Sequence, residues 1–255
     1  MKLPTSCDVT GGVATITLDL PEKRNALTTE LLDSLGDQLL AAGADESVRA
    51  VVLTHTGTTF CAGADLSVAG ATKSRYDIAA ILRAIAEMEK PVVGRIAGLC
   101  LGGGVGLAAV CDISIASTES RFGFSEVRLG VAPAVISVVC LPKMRQADAS
   151  ELFLSGERID AGRAVAAGLI NRAVDPDELD EVVRDVLDRL LLGGPSALAA
   201  VKLLISRVPA MDRDEAFAWA SELSASLFAS PEATEGIAAL RERRAPSWAP
   251  GGGDG

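Results

Sequence analysis

Apolar and polar positions alternate through Ala14, Ile16, Leu18 and Leu20, with Thr15, Thr17 and Asp19 between them. A period of two predicts a strand with one face in a core. Pro21 ends it. The period then changes. Leu31, Leu32, Leu35 and Leu39 fall on one helical stripe, with Thr28 or Thr29 placed to cap it. Val51-Val52-Leu53 runs apolar without alternation, which predicts a strand buried on both faces. Residues 56–59 read as a loop. Ile78, Ile81, Leu82, Ile85 and Met88 mark a second amphipathic helix, with Pro91 beyond it.

A second cycle comes next. Val92 to Ala97 is strand-like, Gly102-Gly103-Gly104 opens a short apolar helix through Ala109, and Ile113-Ser114-Ile115 is strand-like again. The alternation of strands and helices from about 10 to 190 predicts an α/β core domain over 1–194. After Gly193-Gly194-Pro195 the pattern becomes helical. Leu198, Val201, Leu204 and Ile205 form one stripe, Asp214 to Leu227 another helix, and Pro231 starts a third. This helical region, 195–248, carries exposed-looking apolar residues, Phe217, Trp219, Leu223 and Leu227, suited to docking on the core or on another subunit. The tail from Ala249 to Gly255, rich in glycine, is expected to be disordered.

Composition narrows the function classes. The chain has 255 residues, 49% of them apolar, enough for a core without disulfides. A net charge of −10, with no long basic run, leaves nucleic acid without an electrostatic footprint. The five cysteines lie scattered, mostly in apolar segments, and read as buried free thiols of a reducing compartment. No Cys-x-x-Cys pair suggests zinc, so no metal site is expected. The first residues lack a hydrophobic signal core. The apolar stretch 92–116 is broken by three glycines and holds Arg95 and Asp112, so it reads as buried strand–helix–strand rather than a membrane span. A cytoplasmic location is expected. The single histidine, His55, stands without a second histidine or a Gly-x-Ser-x-Gly motif, which disfavours a hydrolase triad.

Three segments carry candidate chemistry. Residues 59–66, Thr-Phe-Cys-Ala-Gly-Ala-Asp-Leu, come after a buried strand with small residues that let another molecule approach the backbone. Asp65 is placed to cap the segment after it. Residues 97–108, Ala-Gly-Leu-Cys-Leu-Gly-Gly-Gly-Val-Gly-Leu-Ala, are neither a P-loop nor a dinucleotide fingerprint. Their glycines serve either close helix packing or N–H groups offered to a developing anion at a helix start. The third segment runs from Arg121 to Pro133. In it Glu126 sits among apolar neighbours, where partial burial raises a carboxyl pKa and suits proton transfer.

In this order the three segments resemble the crotonase superfamily, the enoyl-CoA hydratases and isomerases. Residues 21–27, Pro-Glu-Lys-Arg-Asn-Ala-Leu, look like its early Asn-Ala-Leu motif. The resemblance spans about Val13 to Arg244. It implies a spiral core of β-β-α units with a helical C-terminal region, and trimers or dimers of trimers. It also implies an acyl-CoA thioester substrate whose CoA needs no separate cofactor. By position, Ala64 and Gly103 would supply the two N–H groups of an oxyanion hole. Ala62 would offer its carbonyl to the adenine of CoA, Lys23 or Arg24 would lie near the CoA phosphates, and Asp65 would border that site. Glu126 falls on the later of two catalytic glutamates.

The earlier glutamate should fall at 106, where this chain has Gly106. Three readings compete: hydration with Glu126 as sole carboxylate, double-bond isomerisation with one base, and a CoA-ester-binding protein with little catalysis. The run Ser125 to Ser137 is similar to bacterial methylglutaconyl-CoA hydratases. That similarity implies a branched substrate with a second carboxylate, for which Lys73, Arg75 and Arg128 are the candidate cations.

Overall fold

A computed structural model describes residues 3–65 and 74–250. The elements run β1 (Thr5–Thr10), β2 (Val13–Leu18), α1 (Thr29–Ala44), β3 (Ala50–His55), β4 (Thr59–Cys61), α2 (Ile78–Glu87), β5 (Val92–Ile96), β6 (Leu99–Leu101), α3 (Gly103–Val110), β7 (Ile113–Ser117) and β8 (Arg121–Gly123). The chain continues through α4 (Ala134–Cys140), α5 (Gln146–Ser155), β9 (Arg158–Asp160), α6 (Ala161–Ala166), β10 (Arg172–Val174), α7 (Leu179–Leu191), α8 (Pro195–Arg207), α9 (Arg213–Phe228) and α10 (Pro231–Glu242).

The strands form two sheets. One has the order β1-β2-β3-β5-β7-β10 and the other β4-β6-β8-β9. Pairing is parallel except at the β1–β2 and β8–β9 edges. Successive strand pairs, β3/β4, β5/β6 and β7/β8, each give one strand to each sheet. That is the spiral of β-β-α units the resemblance implies. Residues 56–58 match the expected loop, but Thr59 begins β4, because Thr59 and Cys61 pair with Leu99 and Cys100 of β6. Three-residue strands are too short to show a period, so β4 and β6 carry no signal of their own.

The unbroken apolar run in β3 has a plain cause. Val51 and Leu53 face the main core, while Val52 joins Val93, Ile115, Leu179, Val183 and Val186 in a second cluster under α7. With both faces covered, every residue of β3 is buried. The half-buried strand is β2, and Thr28 is the cap of α1, its side chain accepting from the Leu31 N–H at 3.2 Å.

The helical C-terminal region is tied back to the core through Arg49. Its guanidinium donates to the carbonyls of Trp248 at 2.7 Å and Gly193 at 2.8 Å. Ala249, where the sequence places the start of a disordered tail, is 6% exposed and donates to Pro246 O. Residues 251–255 lie outside the described residues. No single helix among the described residues is long and apolar enough to cross a membrane.

Candidate active site

The site begins with Asn25. It is fully buried at the end of a short 3-10 turn, Pro21–Lys23, and has φ of 49°. Asparagine tolerates this left-handed conformation better than most residues. Its Oδ1 accepts from Leu20 N at 2.8 Å, and its Nδ2 donates to Thr56 O at 3.1 Å and Thr59 O at 2.7 Å. These bonds clamp residues 20–25 onto the entry to β4. Two backbone bonds extend the clamp: Ala62 N to Arg24 O at 3.0 Å, and Leu27 N to Gly63 O at 2.8 Å. The segment that holds Lys23 and Arg24, both exposed, is thereby fixed beside Ala62.

Two chain reversals meet next to this clamp. Gly63 has φ of 88°, and Gly102, which precedes α3, has φ of 51°. A Cβ on Gly63 would lie 3.5 Å from Gly103 N, so the two turns are in van der Waals contact. Gly103 is the first residue of α3, where the N–H has no intrahelical acceptor. The N–H groups of Ala64 and Gly103 find no acceptor among the described residues. Both residues line one cavity of about 280 Å3. An anion beside Gly103 also meets the positive end of the α3 dipole.

Glu126 faces the same cavity from the other side. It lies in a 3-10 turn, Ser125–Leu129, whose entry residue Phe124 is 1% exposed and stacks on Phe153 of α5 with centroids 4.2 Å apart. That aromatic anchor holds the turn against the body of the protein. A Cβ on Gly102 would come within 3.1 Å of Glu126 Oε1, so the carboxyl lies directly over the glycine turn. Glu126 Oε2 is buried and has no hydrogen-bond partner among the described residues. Burial pushes the carboxyl above the usual carboxylate range, against a smaller opposing effect of its own backbone N–H. A carboxyl oxygen and two N–H groups around one cavity, without partners among the described residues, can take up a carbonyl oxygen and move a proton beside it.

The remaining wall is apolar: Leu27, Ile78, Leu129, Val131, Val135 and Ile136. Glu126 is the charged residue among the described residues that line it. Arg75 is held by Asp37 at 2.7 Å and Asp33 at 3.5 Å, and Arg128 reaches toward Ser155 O; neither lines the cavity. Lys73 lies outside the described residues, as does the segment after Asp65 that Asp65 is expected to cap. Asp65 itself is next to Ala64 in the chain and does not line the cavity.

The sequence reading missed Asn25 as a structural clamp, and it missed Ile136. Asn25 was legible only as part of a motif. Nothing in the sequence around 136 marks Ile136 as more than one apolar residue among several.

Other reactive groups are occupied structurally. His55 accepts the Ala97 N–H on Nε2 at 3.0 Å and meets Thr56 O through Nδ1 at 3.2 Å, a satisfied strand-end histidine. Burial lowers its pKa. Cys61, Cys111 and Cys140 are buried thiols pushed up to about 12, too weakly acidic to serve as nucleophiles. Among the described residues no group of three His, Cys, Asp or Glu is placed to hold a metal ion.

The family described as enoyl-CoA hydratase/isomerase matches residues 8–251. A protein named putative enoyl-CoA hydratase from Thermus thermophilus is 33% identical, over 92% of this chain and 97% of its own. The short-chain-enoyl-CoA hydratase of Clostridium acetobutylicum is 31% identical, over 92% and 93%. The crystal structure of an enoyl-CoA hydratase from Mycobacterium smegmatis superposes with a TM-score of 0.89 at 32% identity, covering 97% of this chain and 99% of the other. With a family model matched over nearly the whole chain and relatives above 30% identity across most of it, the chain belongs to the enoyl-CoA hydratase/isomerase family of enzymes.

Proposed function

We propose that the protein hydrates a 2-enoyl-CoA thioester through an enolate. The observation that carries this is that Glu126 Oε2 and the N–H groups of Ala64 and Gly103, in one cavity, have no partner among the described residues. The thioester carbonyl accepts from both N–H groups. As water adds at Cβ, charge gathers on that oxygen, where the two donors and the α3 dipole stabilise it. Glu126 orients the water, takes its proton, and returns a proton to Cα as the enolate collapses. Ala62 O is assigned to the adenine of CoA, and Lys23, Arg24 and Asp65 to the rim that receives its polar part. The reaction draws on no cofactor beyond the CoA of the substrate. A cytoplasmic location is part of the same reading.

A second reading, migration of a 3,4 double bond to the 2,3 position, is favoured by one observation. Position 106 holds no carboxylate, and the wall there is apolar. One base then moves a proton from C2 to C4. The apolar wall also favours an uncharged acyl group. A branched substrate with a second carboxylate needs a cation; of the three candidates Arg75 and Arg128 do not line the cavity, and Lys73 lies outside the described residues.

Phe217, Phe228 and Leu240 stand 68%, 71% and 79% exposed on α9 and α10, which supports an assembly of trimers or dimers of trimers.

The test is a panel of thioesters. Crotonyl-CoA is expected to lose its conjugated absorbance with wild-type enzyme and to keep it with Glu126→Gln. A 3-enoyl-CoA that becomes conjugated faster than crotonyl-CoA is hydrated supports the second reading. Tight binding with no change in any enoyl-CoA would leave a binding protein and overturn both.

A further inference from the structure

Gly106 lies on α3, fully within the protein, and does not line the cavity. Between it and the cavity stands Ile136 of α4. A Cβ built on Gly106 would come 2.5 Å from Ile136 Cγ2 and 3.0 Å from Ile136 Cβ, with Leu82 Cδ1 at 3.5 Å. Ile136 is 4% exposed and lines the same cavity as Ala64, Gly103 and Glu126. The space a side chain at 106 would enter is therefore occupied by a β-branched side chain, whose first torsion has one strongly preferred value in a helix. A side chain at 106 would start against Ile136 and Leu82, apolar groups that offer a carboxylate no hydrogen bond.

We propose that Ile136 is a specificity-determining residue: it closes the 106 side of the cavity, so this site holds one carboxylate and proton transfer runs through Glu126 alone. The inference rests on the enolate reading above for its chemical consequence. Its packing half stands on the contact itself. A site with carboxylates on both sides can hold a water from both; here the Ile136 side offers only methyl groups, and water is held from the Glu126 side.

Two measurements test it. The first is a double-variant cycle on thermal stability. Gly106→Ala is expected to lower Tm in the wild-type background. In an Ile136→Ala background the same change is expected to leave Tm unaltered or raise it, since alanine is the better helix former once the clash is gone. An equal drop in both backgrounds would overturn the packing half. The second is hydration of crotonyl-CoA, in which the water oxygen bonds to Cβ and a proton to Cα. Gly106→Glu alone is expected to hydrate more slowly than wild type, and Gly106→Glu/Ile136→Ala at least tenfold faster than Gly106→Glu. A Gly106→Glu protein as active as the double variant would show that Ile136 gates nothing. If wild type binds crotonyl-CoA without turning it over, the hydration reading fails by itself, and the Tm cycle still decides whether Ile136 closes position 106.

Discussion

Glu126 is placed at some expense to stability. Its carboxyl lies over the Gly102 turn with one oxygen buried and unpartnered among the described residues. Burial raises its pKa in the folded protein. The folded state therefore holds this proton more tightly than the unfolded chain does. Below the unfolded value, both states are protonated and the group is neutral in its effect. As pH rises from there through the folded value, ionisation of the buried carboxyl destabilises the fold, and above it the loss is constant. Glu126→Gln is thus expected to be more stable than wild type at pH 7, with the difference shrinking toward pH 4, as read by urea midpoints. A catalytic loss combined with a gain in stability is the signature of a group held for chemistry. The same raised pKa places the acid limb of kcat/KM above the usual carboxylate range, since the ionised form accepts the proton from water.

Asn25 works at the scale of the element. Its three hydrogen bonds join the turn before α1 to the strand entry that leads to Ala62 and Ala64. Asn25→Ala leaves the Leu20 N–H and the Thr56 and Thr59 carbonyls without this partner, the Thr59 carbonyl in a buried position and the other two part-buried. The expected cost is about 2–4 kcal/mol from unsatisfied buried groups, with kcat/KM falling as well because Ala64 is no longer fixed; denaturant unfolding and crotonyl-CoA turnover read the two effects. Much at this scale was legible in the sequence. The stripe of Leu31, Leu35 and Leu39, the cap at Thr28 and the buried run in β3 arise from period and side-chain chemistry. The second sheet was not legible, because β4, β6, β8 and β9 are three residues each, and their pairing is a tertiary event. The site shows the same division. Motif order brought Ala64, Gly103 and Glu126 together, and the three do line one cavity. Ile136 escaped notice because its role is a contact made only when α4 packs on α3.

At the scale of the whole molecule, the two-sheet spiral turns three distant segments, at 62–64, 102–103 and 125–126, toward one cavity. The C-terminal helices lie outside this arrangement. None of the residues of α9 is buried, and Phe217 and Phe228 stand on it in the open. Charged substitution at both, Phe217→Glu/Phe228→Glu, is expected to reduce the mass in solution from a trimer or hexamer toward a monomer. Light scattering that shows the wild-type chain already monomeric would contradict the assembly proposed here.

The central claim is that the N–H groups of Ala64 and Gly103 hold a thioester enolate while Glu126 moves its proton. Exchange of the α-protons of butyryl-CoA in D2O tests it most directly, because it needs the enolate and the base but neither a double bond nor an added water. Wild type is expected to exchange these protons and Glu126→Gln to lose the exchange. Gly103→Pro deletes one donor at a helix position that accepts proline. Its added Cβ meets Leu27 Cδ1, so it is compared within a Leu27→Ala background. There it is expected to slow exchange by about 100- to 1,000-fold, the effect of losing one oxyanion donor. A wild-type enzyme that binds butyryl-CoA without exchange, or a Glu126→Gln enzyme that exchanges at the wild-type rate, would contradict the account.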